Sequence, residues 1–151
     1  MIDEKYKPMI AQIEGAISIL QNMGVAITAM RDGYAKIMMP IEPNRSHINT
    51  VYAGSLFSLA EFSGGVIFFA AFDHTRYYPI AKAMSIQYRK PATGDVSLEV
   101  SLTREQAAAI SAEADEKGKA DFSMNLEIKN EDGAVACTAQ GVWQIRKWPG
   151  K

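Results

Sequence analysis

The chain has 151 residues, of which 16 are basic and 17 acidic, and its pI is near 6.1. This length predicts one domain over residues 1–151 with a substantial buried core. The balanced charge provides no overall field that would attract nucleic acid or an anionic membrane, so we expect neither partner. Cys137 is the only cysteine, which excludes an internal disulfide and a thiolate metal site. We therefore expect a cytoplasmic protein without a bound metal.

The spacing of apolar residues and turn residues predicts three helices and six strands. Helices are indicated where apolar residues recur every three or four positions, and strands where they alternate with polar residues. Asp32-Gly33 predicts a two-residue hairpin turn, and Thr103 with Gln106 has the spacing of a helix capping box. In chain order, the predicted elements are a helix over 6–20 capped by Asp3, strands over 25–31 and 34–40, a helix over 51–72, strands over 81–90 and 96–103, a short helix over 104–117, and strands over 122–129 and 135–148.

The helix predicted over 51–72 is apolar on nearly every side, so other elements must enclose it. An antiparallel sheet with one polar and one apolar face is suited to do so. Gly64-Gly65 in the interior of this helix predicts either a kink or a close approach by another backbone. We expect an α+β fold in which a six-stranded antiparallel sheet wraps around one central apolar helix.

Glu61 is the only charged side chain between Ser46 and Phe72. Burying an unpaired carboxylate is costly unless neighbouring groups compensate or it holds a proton. One reading is a hydrogen-bonded structural group, and the other is a catalytic acid. The small residues Ala53 and Gly54 favour the second reading, because a helix start without bulky side chains leaves backbone N–H groups free to bind an oxyanion.

Residues 43–61, PNRSHINTVYAGSLFSLAE, resemble the signature of hotdog-fold acyl-CoA thioesterases of the phenylacetic-acid-degradation type. That signature has an asparagine, a Gly-Thr pair, a His-Gly-Gly run and an acid that ends a Leu-Ala-Asp/Glu triplet. Thr50, Gly54 and Leu59-Ala60-Glu61 agree with it, and residues 86–95 resemble the strand and turn that follow the central helix in the family.

The chain departs from the signature at three positions. Asn49 stands where the family has glycine, Tyr52 replaces the histidine, and Ala53 replaces the first glycine of the pair. These differences are similar to those of the branch that includes the C-terminal domain of YiiD-type proteins, whose function is poorly defined.

The resemblance implies hydrolysis of an acyl-CoA, with Glu61 as the catalytic acid and the N–H of Ala53 or Gly54 as the oxyanion site. Glu61 lies eight residues beyond Ala53, which is about 12 Å along a helix axis. If both groups act on one substrate, they must come from two chains of a homodimer. The family is implied to use two such sites, in a dimer or a dimer of dimers, with coenzyme A as part of the substrate and no other cofactor.

Seven further residues are candidates for substrate binding or for positioning the acid. Arg89 and Lys90 have the charge to meet coenzyme A phosphates, Asn44 either binds substrate or braces its own loop, and the ionised form of Glu61 needs a hydrogen-bond donor nearby. The full set is Asn44, Asn49, Thr50, Tyr52, Ser58, Arg89 and Lys90.

Two alternatives to hydrolysis remain, and the departures at Tyr52 and Ala53 bear on both. The main one is a non-catalytic dimer that binds an acyl-CoA or another apolar ligand. A hotdog dehydratase is less consistent with the sequence, because it needs a histidine near the acid and Tyr52 occupies that place.

Overall fold

A computed structural model describes residues 1–150 of the chain. Helical segments alternate with pairs of strands along it. Two short 3-10 turns, Glu4–Tyr6 and Glu42–Asn44, precede the first and third helices. The elements are α1 (Lys7–Gly15), α2 (Ser18–Asn22), β1 (Ala26–Arg31), β2 (Tyr34–Met39), α3 (Ala53–Ala71), β3 (Tyr77–Tyr88), β4 (Val96–Ser101), α4 (Arg104–Lys117), β5 (Lys119–Lys129) and β6 (Val135–Lys147).

The six strands form one antiparallel sheet in the order β1-β2-β4-β5-β6-β3. Along β5 every second side chain is buried, from Ala120 to Ile128, while the residues between them are exposed. This alternation gives the sheet one apolar face, which packs on α3, and one polar face. The fold is the hotdog fold, as predicted, with α3 as the enclosed helix.

The helix α3 is long and apolar enough to cross a membrane by length and composition, but most of it is buried inside the sheet. It runs without a break from Ala53 to Ala71. The close approach predicted at Gly64-Gly65 is made by a side chain and not by a backbone: a Cβ on Gly64 would lie 2.1 Å from the Trp143 indole. Gly65, in contrast, has open space where its Cβ would be.

The prediction of one continuous N-terminal helix over 6–20 is wrong. The chain leaves the helical conformation at Ile17, whose φ of −121° and ψ of 110° are extended, and α2 begins at Ser18. Gly15 weakens the end of α1, and β-branched Ile17 favours an extended backbone. Asp3 makes no capping hydrogen bond with its side chain, and its backbone N–H donates to the Met30 carbonyl instead.

The second half of the chain matches the prediction closely. The capping box of α4 is formed, with Thr103 Oγ1 accepting from the Gln106 N–H at 3.0 Å and Gln106 Oε1 accepting from the Thr103 N–H at 2.8 Å. The strand predicted over 81–90 begins earlier, at Tyr77, and includes Pro79. A proline is tolerated there because β3 forms an edge of the sheet.

The two adjacent glycines of α3 provide a matched test of this packing. Gly64→Ala should destabilise the fold by about 1–3 kcal/mol, because the added methyl overlaps the Trp143 ring. Gly65→Ala should stabilise it by about 0.5–1 kcal/mol, because the methyl meets nothing and alanine favours a helix. Urea unfolding of both variants measures the two effects, and equal effects would contradict the packing described.

Candidate functional site

The N-terminus of α3 is held in place by the loop that precedes it. The Val51 N–H donates to the Ala92 carbonyl at 2.8 Å, and the Tyr52 N–H donates to the Asn44 carbonyl at 2.7 Å. Within residues 1–150, no hydrogen bond uses the N–H of Ala53 or of Gly54, and Tyr52 provides no side-chain cap. The positive end of the α3 dipole therefore has free donors for an anion or a developing oxyanion.

A cavity of about 450 Å³ opens at this end of α3, and we call it the amide cavity. Thr50, Tyr52 and Ala53 line it together with Arg89 and Lys90, so five of the predicted site residues meet there. Arg89 Nε donates to Thr138 Oγ1 at 3.2 Å, and both basic side chains are exposed. The amide cavity thus combines the free backbone N–H of Ala53 with two positive charges.

Two tyrosines frame the amide cavity. The ring of Tyr52 lies over Gly54, within 2.5 Å of the position a Cβ would take there. The hydroxyl of Tyr88 donates to the Ala53 carbonyl at 3.0 Å. Both side chains are more than half exposed. Tyr88 was not predicted as a site residue, because an aromatic side chain near a strand end is typical of many structural positions.

Glu61 lies in a second cavity of about 260 Å³, which we call the carboxylate cavity. Its walls come from the junction of α1 and α2, from α3 and from the first half of β3. Partial burial raises the pKa of Glu61 above its ordinary value of 4.5, and the indole N–H of Trp143 partly offsets that rise. That N–H makes no hydrogen bond of normal geometry, although Trp143 is 1% exposed.

The amide cavity and the carboxylate cavity have no lining residue in common. The two groups that the signature assigns to catalysis are thus on one helix but open to different sides of the chain. This separation follows from the length of α3 between Ala53 and Glu61, because an unbroken helix keeps residues eight apart at about 12 Å.

Besides Gly54, three predicted residues lie outside both cavities. Asn44 is buried and braces its loop, with Nδ2 donating to the carbonyls of Met23 at 2.8 Å and Pro40 at 2.7 Å. Asn49 is exposed, with a φ of 62°. Ser58 donates to the Gly54 carbonyl at 2.8 Å. Within residues 1–150 neither these three side chains nor Tyr52 hydrogen-bond to Glu61.

The residue beside Glu61 that sequence reasoning missed is Trp143. Its position in an alternating strand is typical of a core residue, and only the unusual Gly64 on the facing helix indicated that something bulky approaches there.

Comparison with known proteins places this chain in a family. Residues 16–145 match DUF4442, a domain of unknown function. The chain belongs to this family. It is similar to a solved structure from Pseudomonas aeruginosa, a protein of unknown function described as a probable thioesterase. The two chains are 36% identical, the match covers 94% of this chain and 95% of that chain, and the TM-score is 0.89.

More distant structures share the fold. A protein of unknown function from Chlorobaculum tepidum is 19% identical over 95% of each chain, with a TM-score of 0.82. A mutant thioesterase from Pseudomonas aeruginosa is 15% identical over 94% of this chain and 96% of that chain, with a TM-score of 0.72. The DUF4442 chain lies within the superfamily of hotdog-fold thioesterases that its signature predicted. No functionally curated protein matches the sequence.

The pKa of Glu61 leads to a testable pH dependence of stability. Because folding raises this pKa, the fold favours the protonated acid, and its contribution to stability is complete below about pH 4.5 and is lost as the pH rises through the folded-state pKa. Glu61→Gln cannot lose a proton. The melting temperature of Glu61→Gln relative to the wild type should therefore increase between pH 4.5 and neutral pH. A variant that is less stable than the wild type at neutral pH and not at acid pH would contradict this account.

Proposed function

We propose that this DUF4442 protein is a homodimeric thioesterase that hydrolyses acyl-CoA at two equivalent sites between its subunits. The observation that supports this most strongly is that Glu61 and Ala53, whose backbone N–H is free, line separate cavities of one chain. One chain alone has two halves of a hydrolytic site, and a two-fold axis can join each half to the complementary half of the partner.

The strand β3 is the proposed dimer contact. It has twelve residues, pairs only with β6 in the described chain, and leaves its other edge without a partner. A long uncovered edge strand is a template for pairing with another strand. An antiparallel pairing of β3 with its copy would extend the sheet across the dimer. A two-fold axis normal to that sheet reverses the direction of α3, so the amide end of one α3 would approach Glu61 of the other.

In this dimer the thioester carbonyl oxygen would accept a hydrogen bond from the Ala53 or Gly54 N–H of one subunit. Glu61 of the other subunit would either take a proton from a water that attacks the carbonyl carbon, or attack that carbon itself. In the first route the bond from carbon to sulfur breaks as the tetrahedral intermediate collapses, and the proton taken up by Glu61 passes to the sulfur, so coenzyme A leaves as the thiol and the carboxylic acid is released. In the second route Glu61 forms an anhydride with the acyl group as the bond from carbon to sulfur breaks, and a water then hydrolyses this anhydride, which releases the carboxylic acid, restores Glu61 and supplies the proton of the thiol. Either route needs the ionised form of Glu61.

Arg89 and Lys90 would bind the phosphates of coenzyme A near the amide cavity, which they line. Thr50 and Tyr52 would contact the substrate at the same cavity, whereas Asn44, Asn49 and Ser58 would act by shaping the loop and the first turns of α3. Coenzyme A enters only as part of the substrate, and the reaction needs no metal. We propose the cytoplasm as its location, because the single thiol, Cys137, is buried and free.

A second function, binding of an acyl-CoA without hydrolysis, is favoured by one feature. Tyr52 stands where the family signature has histidine, and its ring covers Gly54. If this ring keeps the carbonyl away from the N–H groups, the dimer would retain a thioester without cleaving it. Turnover by the wild type distinguishes the two functions.

Single substitutions test the two catalytic groups. Glu61→Gln should lower kcat by about 10²–10⁴, because it removes the proton acceptor. Ala53→Pro should lower it by about 10²–10³ if the Ala53 N–H is the oxyanion donor. Proline is tolerated at a first helical position, and the φ of −57° and ψ of 134° at Tyr52 suit a residue before proline. Gly54 offers no equivalent substitution, because any side chain there would meet the Tyr52 ring.

The control for these assays is Glu116→Gln, which removes an exposed carboxylate of α4 that lines neither cavity. It should hydrolyse a panel of acyl-CoAs at the wild-type rate. The oxyanion role of the Ala53 N–H would be refuted if Ala53→Pro kept its activity, and the role of Glu61 would be refuted if Glu61→Gln kept its activity.

A mixing experiment tests whether the site is shared between subunits. Dimers formed at random from Glu61→Gln chains and inactive proline chains should regain about a quarter of the wild-type activity, because half of them are hybrids and each hybrid has one intact site of two. Absence of any recovery in a sample shown to contain hybrids would mean that each subunit supplies a complete site.

A further inference from the structure

Three residues of α3 form the floor of the carboxylate cavity at helical spacing. Glu61, Gly65 and Phe69 are separated by four residues each and line this cavity together. They therefore lie in one row along the helix. Gly65 leaves open space where a side chain would otherwise stand, so a groove runs along the helix from the carboxylate of Glu61 to the ring of Phe69.

The sides of this groove are apolar. Ile13 of α1 and Ile17, the residue at which the helix breaks, form one wall, and Pro79 and Ile80 of β3 form the other. The break between α1 and α2 contributes to the first wall, because the extended backbone at Ile17 orients its side chain differently from that of a residue in a continuous helix. Apart from Glu61 and the exposed side chain of Gln12, the lining of the groove is mainly apolar.

Phe69 closes the far end of the groove. Its ring packs edge-on against Phe68, with ring centres 5.2 Å apart, and lies 5.6 Å from the ring of His74. On its other side is a third cavity of about 450 Å³, which we call the distal cavity, between the end of α3 and the start of α4. Within the described residues Phe69 is the only one that lines both the carboxylate cavity and the distal cavity.

We infer that the groove over Gly65 holds the acyl chain of the substrate and that Phe69 limits its length. This inference rests on the proposed function for the position of the thioester at Glu61. The eight residues from Glu61 to Phe69 span about 12 Å of helix. A carbon chain with bonds of about 1.5 Å advances roughly 1.3 Å per carbon, so the groove suits a medium-length chain of roughly nine carbons.

Two substitutions should move this limit in opposite directions. Phe69→Ala joins the groove to the distal cavity and should admit long chains. Gly65→Leu fills the middle of the groove and should restrict binding to short chains. Ala107 lines the distal cavity but not the carboxylate cavity. Adding Ala107→Phe to Phe69→Ala should therefore close the new space again. This double variant distinguishes joining of the two cavities from a general loss of packing as the reason why Phe69→Ala binds long chains.

The probes are S-butyl, S-octyl and S-hexadecyl coenzyme A, thioethers that the protein cannot hydrolyse, with dissociation constants measured by calorimetry. Wild type should bind the hexadecyl compound no more tightly than the octyl compound. Because each methylene that leaves water strengthens binding roughly fourfold, Phe69→Ala should bind the hexadecyl compound at least tenfold more tightly than wild type does. Ala107→Phe should reverse that gain, and Gly65→Leu should weaken octyl binding while sparing butyl binding.

Hydrolysis of the matching acyl-CoAs is measured in parallel, so that two failures can be told apart. An unchanged length preference in Phe69→Ala and Gly65→Leu, with normal turnover, would overturn the role of Phe69 and leave the thioesterase proposal intact. A shifted binding preference without turnover in any variant would support the groove and overturn hydrolysis. Folding of each variant is checked by its thermal unfolding, and Phe69→Leu serves as a milder replacement if Phe69→Ala does not fold.

Discussion

The geometry of one straight helix determines how this protein can work. An α-helix advances about 1.5 Å per residue, so the unbroken α3 holds Glu61 well away from its own N-terminal N–H groups. Since α3 is enclosed by the sheet on most sides, it cannot bend to bring them together. Every feature of the proposed site, from the dimer to the groove, depends on this fixed separation.

The enclosure of α3 also determines the state of the acid. The indole of Trp143 packs directly on Gly64, which brings a large apolar group next to Glu61. Burial then raises the pKa of Glu61, with only a partial offset from the indole N–H. A carboxyl group with a raised pKa is a better proton acceptor than an ordinary glutamate once it is ionised. The packing that stabilises the fold therefore also raises the pKa of the acid that we propose as catalytic.

Most of the fold could be predicted from sequence because its signals are local. The alternation in β5, the capping box at Thr103 and the Asp32-Gly33 turn each depend on a few neighbouring residues. The break at Ile17 was missed because its helical spacing of apolar residues continues across it. In the site, Arg89 and Lys90, which the sequence offers only as candidates for binding coenzyme A phosphates, line the same cavity as Ala53 at the start of α3. The contacts of Glu61 with Trp143 and the shared position of Phe69 depend on packing between distant parts of the chain, which no local pattern reveals.

The central claim is that each active site is completed by a second copy of the chain. A crystal structure of the protein with S-octyl coenzyme A tests it directly. The account predicts that the thioether sulfur lies between the Ala53 and Gly54 N–H groups of one subunit and the carboxylate of Glu61 of the other, with the octyl chain over Gly65. A monomer, or a complex in which the sulfur lies far from every Glu61, would contradict it.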